Sequence, residues 1–442
     1  MHFHPDPALP SRLPRARGTT ALGLLLLLSA LPTWGESAGT DWPQFRGPHR
    51  DGIARETGLL DAWPDGGPSE LWRRPLGEGY SGITIVGDRL YTMYSAAVPA
   101  DESSAAVPAD EGKDPVDHEF AAAFDATTGK ELWRLDVGEK LDTEFGNGPR
   151  STPAVDGDTV YYLSSHGRFV ALSTTDGSIR WKLELTDDFG SERPYWGYST
   201  SALVDGDQLI LEAGGKDGKT LVALDKKTGK TLWARGDAGP GYNSPLPVEM
   251  NGERRYIYIS GPNLYCIDAN GKELWAHDWP RGETHAVPVA LGPGLIYASG
   301  AEGVGAQVVK VDPNDETKVE QVWSSNKIRN HFSSAVVHDG VIYGFDNATL
   351  KAVSAADGSL VWAKRGLGKG SLILADGHLI VLSDRGKLLL VEAGTDKYVE
   401  KGKIQALNDL SWTAPTVSHG RLYLRNHQEL VSFDLRGKGG AS

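Results

Sequence analysis

"FDATTGKELWRLDV", residues 124–137, decides how this chain folds, because close variants of it return along most of its length. Aligned on Trp133, the series runs "SELWRRPL" (Trp72), "DGSIRWKLEL" (Trp181), "TGKTLWARGD" (Trp233), "NGKELWAHDW" (Trp275), "VEQVWSSNK" (Trp323) and "DGSLVWAKRG" (Trp362), with "TDKYVEKGKI" a degenerate member at Tyr398 and Val399. Successive members lie about 37 to 61 residues apart, the size of a propeller blade.

A second signal falls within each period. Tight-turn pairs separate two short apolar runs at Gly87-Asp88, Asp156-Gly157, Asp205-Gly206, Asn251-Gly252, Pro293-Gly294, Asp339-Gly340, Asp376-Gly377 and His419-Gly420. Such pairs suit the positive φ angles of two-residue hairpins, and the β-branched flanks read as strands. Each period is therefore four strands: A, turn, B, loop, C, Thr-Gly-Lys turn, and D with its tryptophan. Seven of the eight A-B hairpins are followed by a C-D unit, while the last, "WTAPTVSHGRLYLRNHQELVSFDLRGK", stops at C. The missing D strand is "SELWRRPL", which precedes the first hairpin. The expectation is an all-β, eight-bladed propeller whose N-terminal strand completes the last blade and leaves no free sheet edge. Trp133, Trp181, Trp233, Trp275 and Trp362 are expected to pack between blades.

The chain of 442 residues begins with three arginines (Arg12, Arg15, Arg17) ahead of an apolar run at 21–31 and then small residues, the layout of a secretory signal cleaved near Gly35 to Ala38. The expected domains are a signal peptide at 1–37, an N-terminal extension at 38–68 and a propeller at 69–442. Within the propeller, residues 96–118, with "AAVPADE" twice, read as a disordered acidic insert. The one cysteine, Cys266, cannot make an internal disulfide and reads as a buried apolar residue. The formal charge of −13, about −14 without the signal, argues against nucleic acid or anionic lipid as partner. Export implies a periplasmic or extracellular monomer without membrane insertion after cleavage.

"DATTGKELW", "DKKTGKTLW" and "DANGKELW" resemble the tryptophan-docking repeat of the quinoprotein-like, or PQQ-like, propellers, which include pyrroloquinoline quinone (PQQ) dehydrogenases and BamB-like assembly factors. The resemblance spans about residues 41–436, and "DWPQFRGPHRDG" (41–52) resembles the start of secreted bacterial members. The dehydrogenases imply a calcium-bound quinone over a tryptophan floor, under a vicinal cysteine disulfide and beside an aspartate base. One cysteine cannot supply that disulfide, and no residue carries over as base or calcium ligand, although Asn147, Asn243 and Asn330 each offer a carbonyl oxygen.

In a four-stranded meander the D-to-A links and B-to-C loops share one rim, and residues entering the innermost strand A line the channel mouth. Those stretches carry Tyr80, Asn147, Arg150, Tyr195, Trp196, Tyr198, Tyr242, Asn243, His285, Arg329, Asn330, His331, Lys369 and Trp412, with Glu283 a rare carboxylate. Cations among aromatic and amide groups suit an anionic or planar ligand. The candidate ligand residues are Asn147, Arg150, Trp196, Tyr198, Tyr242, Asn243, His285, Arg329, His331, Lys369 and Trp412. His285 and His331 lie on different blades with no third ligand apparent, so no metal site is expected. The sequence thus reads as an exported binding or scaffolding propeller and not an enzyme, cofactor-free, recognising a protein partner or an anionic small molecule or peptide. A divergent PQQ-dependent oxidoreductase with calcium is the alternative.

Overall fold

The computed structural model describes residues 40–98 and 117–437. The expected signal peptide and most of the acidic insert lie outside the described residues. The insert is narrower than expected, since Ala96 and His118 pair with one another inside the sheet of the first blade.

Eight antiparallel sheets of four strands each form the ring. Blades 1 to 8 begin with the innermost strands Thr84–Val86, Ala154–Asp156, Leu203–Asp205, Leu246–Met250, Val289–Gly292, Val336–His338, Ser371–Ala375 and Thr416–Ser418. The ring closes as the repeat offset demands: Ser69–Pro75 is the outer strand of blade 8, with Trp72 opposite Ser432 and Pro75 opposite Glu429. The one helix among the described residues, Leu185–Phe189, joins blades 2 and 3 and buries Leu185 and Phe189.

The A-B turns follow two registers. In blades 4, 6, 7 and 8 the turn residues are Asn251-Gly252, Asp339-Gly340, Asp376-Gly377 and His419-Gly420, all with positive φ. In blades 1 to 3 the strand keeps its last residue, and the turn is Gly87-Asp88, Gly157-Asp158 and Gly206-Asp207. The turn is thus Gly-Asp, one residue later than the Asp-Gly expected in blades 2 and 3, because glycine takes positive φ at the first turn position at no steric cost.

Each docking tryptophan reaches across to the next blade. The Nε1–H groups of Trp72, Trp133, Trp181 and Trp323 donate to the Ala126, Thr174, Lys226 and Ala355 carbonyls at 2.9 to 3.1 Å. Trp233 donates to Ala269 at 3.2 Å. All five acceptors lie in the C-D turn of the following blade, and that turn's glycine lies against the indole. Trp275 and Trp362 are buried, more fully than Trp72, Trp133, Trp181 and Trp233, yet their Nε1 atoms find no partner among the described residues. The reason lies next door: blade 5 replaces the Thr-Gly-Lys turn with "DPNDET", and blade 7 with the degenerate "AGTDKY". The donors keep their packing and lose their acceptor.

Around the channel, hydroxyls and one amide link neighbouring blades. Ser81 Oγ donates to the Ser151 carbonyl at 2.7 Å and Ser151 Oγ to Thr200 at 2.8 Å. Ser244 Oγ accepts from Ser201 N–H at 2.9 Å, Asn243 donates to the Thr284 carbonyl at 2.6 Å, and Ser334 Oγ accepts from Val287 N–H at 3.1 Å. Thr413 donates to the Tyr80 carbonyl at 3.2 Å across the closure between blades 8 and 1. Strand starts packed this closely leave backbone groups without water, and a short polar side chain on each neighbour satisfies them.

The N-terminal extension is a plug. Trp42 bridges to Ile85 of blade 1, and the Pro43 carbonyl accepts from Val155 of blade 2. Arg50 donates to the Ala202 and Ser201 carbonyls of blade 3, both at 2.9 Å, and Arg46 to the Ala335 carbonyl of blade 6 at 2.6 Å. Ile53–Ala54 then adds a parallel strand to the inner edge of blade 7. Asp41 contacts the Gly87 and His419 turns, so the plug seals the A-B turn end of the channel.

Candidate functional site

A channel closed at one end is a cup. Its cavity, about 330 Å³, is floored by Trp42, Phe45 and Arg46 and opens at the rim formed by the D-to-A links. Size and closure place it among small-ligand pockets.

The rim is a nearly continuous aromatic circuit. Phe145, Trp196, Tyr242, His285 and His331 follow one another at ring-centroid distances of 5.0 to 5.9 Å. The circuit continues through Phe332 to Trp412 at 4.9 Å and on to Tyr80, stacked on Trp412 at 5.3 Å. Tyr80 donates its hydroxyl to the Phe145 carbonyl at 2.7 Å and so closes the circle. One link from nearly every blade supplies one flat ring, because each link occupies the same place in the repeat.

Two cations enter this aromatic wall. Arg150 lies over the Tyr80 ring, its Cζ 5.3 Å from the centroid, and donates to the Gly148 and Gly146 carbonyls and to Thr143 Oγ1. No carboxylate pairs with it among the described residues, and burial lowers its pKa because the charged form loses water. Lys369 comes from the link between blades 6 and 7, with Nζ 3.3 Å from His331 Nδ1. His331 Nε2 in turn lies 3.1 Å from Glu283 Oε2. Burial pushes His285 down to about 4 and lowers His331 as well, so both imidazoles are neutral near neutral pH. At the floor, desolvation brings Arg46 to about 10 without discharging it.

Of the residues singled out from sequence, Arg150, Trp196, Tyr242, His285, His331, Lys369 and Trp412 all line this one cavity, together with Tyr80 and Glu283. Four do not. Asn147 braces the rim through Glu78 and the Thr143 N–H. Tyr198 is in the core and donates to Ser191 Oγ at 2.7 Å. Asn243 belongs to the inter-blade links, and Arg329 is taken by Asp346, Nε to Oδ1 at 2.7 Å. A strand start sends alternate side chains to opposite sides, so one link contributes both a lining residue and a buried one. The reading that His285 and His331 lack a third neighbour is also corrected. The ligand atoms of Glu283, His285 and His331 all lie within 4.8 Å of one another.

Phe145 and Phe332 were missed although they sit in the same stretches as Arg150 and His331. Trp42, Phe45 and Arg46 were missed because they precede the repeat; the only signal was a cluster of aromatic residues and arginines in "DWPQFRGPHRDG".

The calcium-bound quinone that the dehydrogenase resemblance implies does not fit these residues. Among the described residues no aspartate lines the cavity and Glu283 is its single carboxylate, while Cys266 is buried in a strand of blade 4. Calcium takes oxygen ligands, six to eight of them, and two imidazoles are poor substitutes.

Among known proteins, the chain is 24% identical over 291 residues to the outer membrane protein assembly factor BamB of Alteromonas naphthalenivorans, covering 61% of this chain and 65% of that one. It is 23% identical to BamB of Yersinia pestis over 381 residues, 81% of this chain and 86% of that one. The BamB structure from Moraxella catarrhalis superposes with a TM-score of 0.57 at 15% identity, covering 83% of this chain and 97% of the other. A quinohemoprotein alcohol dehydrogenase from Comamonas testosteroni superposes at 0.63 and 11% identity, over 91% and 82%, a likeness of fold alone. The sequence model described as outer membrane protein assembly factor BamB matches residues 117–364 and 346–439, and with the eight docked blades this shows that the chain belongs to the BamB-type family of PQQ-like β-propellers.

Proposed function

We propose that this protein is an exported, non-enzymatic binding propeller of the bacterial envelope, and that its cup receives an acidic, aromatic-bearing segment of a protein partner. The assembly-factor relatives and the signal-like N-terminus support the envelope setting and a protein partner. The observation that carries the reading is Arg150: a guanidinium stacked on Tyr80, without a carboxylate partner among the described residues, in a cavity walled by rings. Charged donors in a desolvated site bind carboxylate strongly, and flat rings take an aromatic side chain without demanding a particular sequence.

The test is titration of the purified protein with a short peptide carrying glutamates and a terminal phenylalanine, read by tryptophan fluorescence. Arg150→Gln is expected to weaken binding roughly 10- to 100-fold, the worth of a charged hydrogen-bonded pair. Arg329→Ala, which breaks the Asp346 ion pair away from the cavity, should lower the melting temperature and leave affinity unchanged. No saturable binding, or equal binding by the Arg150 variant, overturns the reading.

A further inference from the structure

We infer that Glu283, His285 and His331 form a binding site for a divalent transition metal of the Zn²⁺ type, with an open coordination position facing the cavity. Glu283 and His285 stand two residues apart on the link between blades 4 and 5, and His331 lies on the next link round the ring. Their ligand atoms already lie within 4.8 Å of one another, with Glu283 Oε2 and His331 Nε2 at 3.1 Å. A metal–ligand distance of about 2.0–2.2 Å asks for donors only slightly rearranged from that spacing.

A second observation is independent of the spacing. His285 Nε2 is buried and has no hydrogen-bond partner among the described residues. A buried ring nitrogen left unmatched is costly, and a metal ion held at this point would satisfy it. Two imidazoles and one carboxylate suit zinc, cobalt or nickel and disfavour calcium and magnesium. Three protein ligands leave a position for water or for an incoming anion, the arrangement of open sites as opposed to closed structural ones.

Lys369 gives the proposal a distinguishing consequence. Its ammonium reaches His331 Nδ1 at 3.3 Å, a contact that needs a lone pair on Nδ1. With Nε2 on the metal, Nδ1 carries the ring proton and cannot accept from lysine. Metal binding therefore opens the contact and turns Lys369 toward the cavity, so this lysine opposes the metal while it pairs with His331. Removing it should tighten metal binding, whereas removing any true ligand should loosen it.

The experiment uses the full chain, stripped with a chelator and dialysed, then titrated with Zn²⁺ by calorimetry and with Co²⁺ by visible absorption. The chain has 12 histidines, and those outside the site take up metal weakly, so the readout is the difference between the wild type and the His285→Ala/His331→Ala variant. Expected are one additional equivalent in the wild type, at least about 10- to 100-fold weaker binding in Glu283→Gln, and tighter binding in Lys369→Met. Co²⁺ in the wild type should show the intense bands of a low-coordinate site with nitrogen donors. If the double variant fails to fold, His331→Gln alone provides the comparison. Equal stoichiometry and affinity in wild type and variant, or weaker binding in Lys369→Met, overturns the inference. The cup's affinity for acidic peptide is measured separately and with the metal removed, so the two readings fail independently.

Discussion

Gly229 has a φ of +71°, and a Cβ there would meet the Trp181 ring at 2.8 Å, whereas Gly206, with φ of +58°, has open space around it. The pair separates two costs. Gly206→Ala should lose about 1 kcal/mol of stability through backbone strain alone, and Gly229→Ala about 2–4 kcal/mol because the docking indole must also shift. Denaturant unfolding of both variants checks this, and equal losses would mean that the indole yields freely. A buried carboxyl makes a second residue-scale prediction. Glu212 is wholly buried beside the Gly241 backbone without an ion-pair partner among the described residues, and desolvation raises its pKa from 4.5 to about 8. Between those values the folded protein keeps a proton that the unfolded chain has released, so stability falls as pH rises through the window. Wild type should therefore lose a few kcal/mol relative to Glu212→Gln between pH 5 and pH 8, read as diverging melting temperatures.

The plug is the element whose loss should be felt most widely. Arg50 is buried, its pKa lowered to about 9 by desolvation, and it is held by the carbonyls of Ser201 and Ala202. Arg50→Ala strands those carbonyls and loosens the floor of the cup, for a cost of about 2–4 kcal/mol. Arg55, in the same segment, makes an exposed ion pair with Asp51, and Arg55→Ala should change stability by less than about 1 kcal/mol. Urea midpoints compare the two. The docking elements show how far local sequence carries. Trp133 and Trp181 behave as the repeat predicts, while Trp275 and Trp362 lose an acceptor through changes roughly 30 to 40 residues downstream. That dependence is legible only once it is known that each tryptophan addresses the following blade.

At the scale of the whole ring, stability rests on closure by Ser69–Pro75 against Glu429–Asp434. Truncation to residues 76–437 should abolish cooperative unfolding, because both exposed sheet edges and the uncovered faces of blades 1 and 8 would meet water. Appending residues 40–75 after residue 437 through a short flexible linker should restore a single transition. The ends permit it: Leu435 N–H donates to Gly420 at 2.8 Å, and Thr40 bonds the adjoining His419. A circular-dichroism melt of truncated and permuted chains decides the point. Sequence by itself determined the blade count, the offset that fastens the ring, and the rim that bears Arg150, Trp196 and His331, because turn glycines, alternating strands and docking tryptophans act over a few residues and repeat. Only tertiary structure decided that residues 41–52 fill the channel, that Arg329 turns to Asp346 while Arg150 meets no carboxylate among the described residues, and that Glu283, His285 and His331 converge. Those outcomes depend on which side of a strand start faces the axis and on what the opposite blades leave empty, and neither is written in any one stretch of chain.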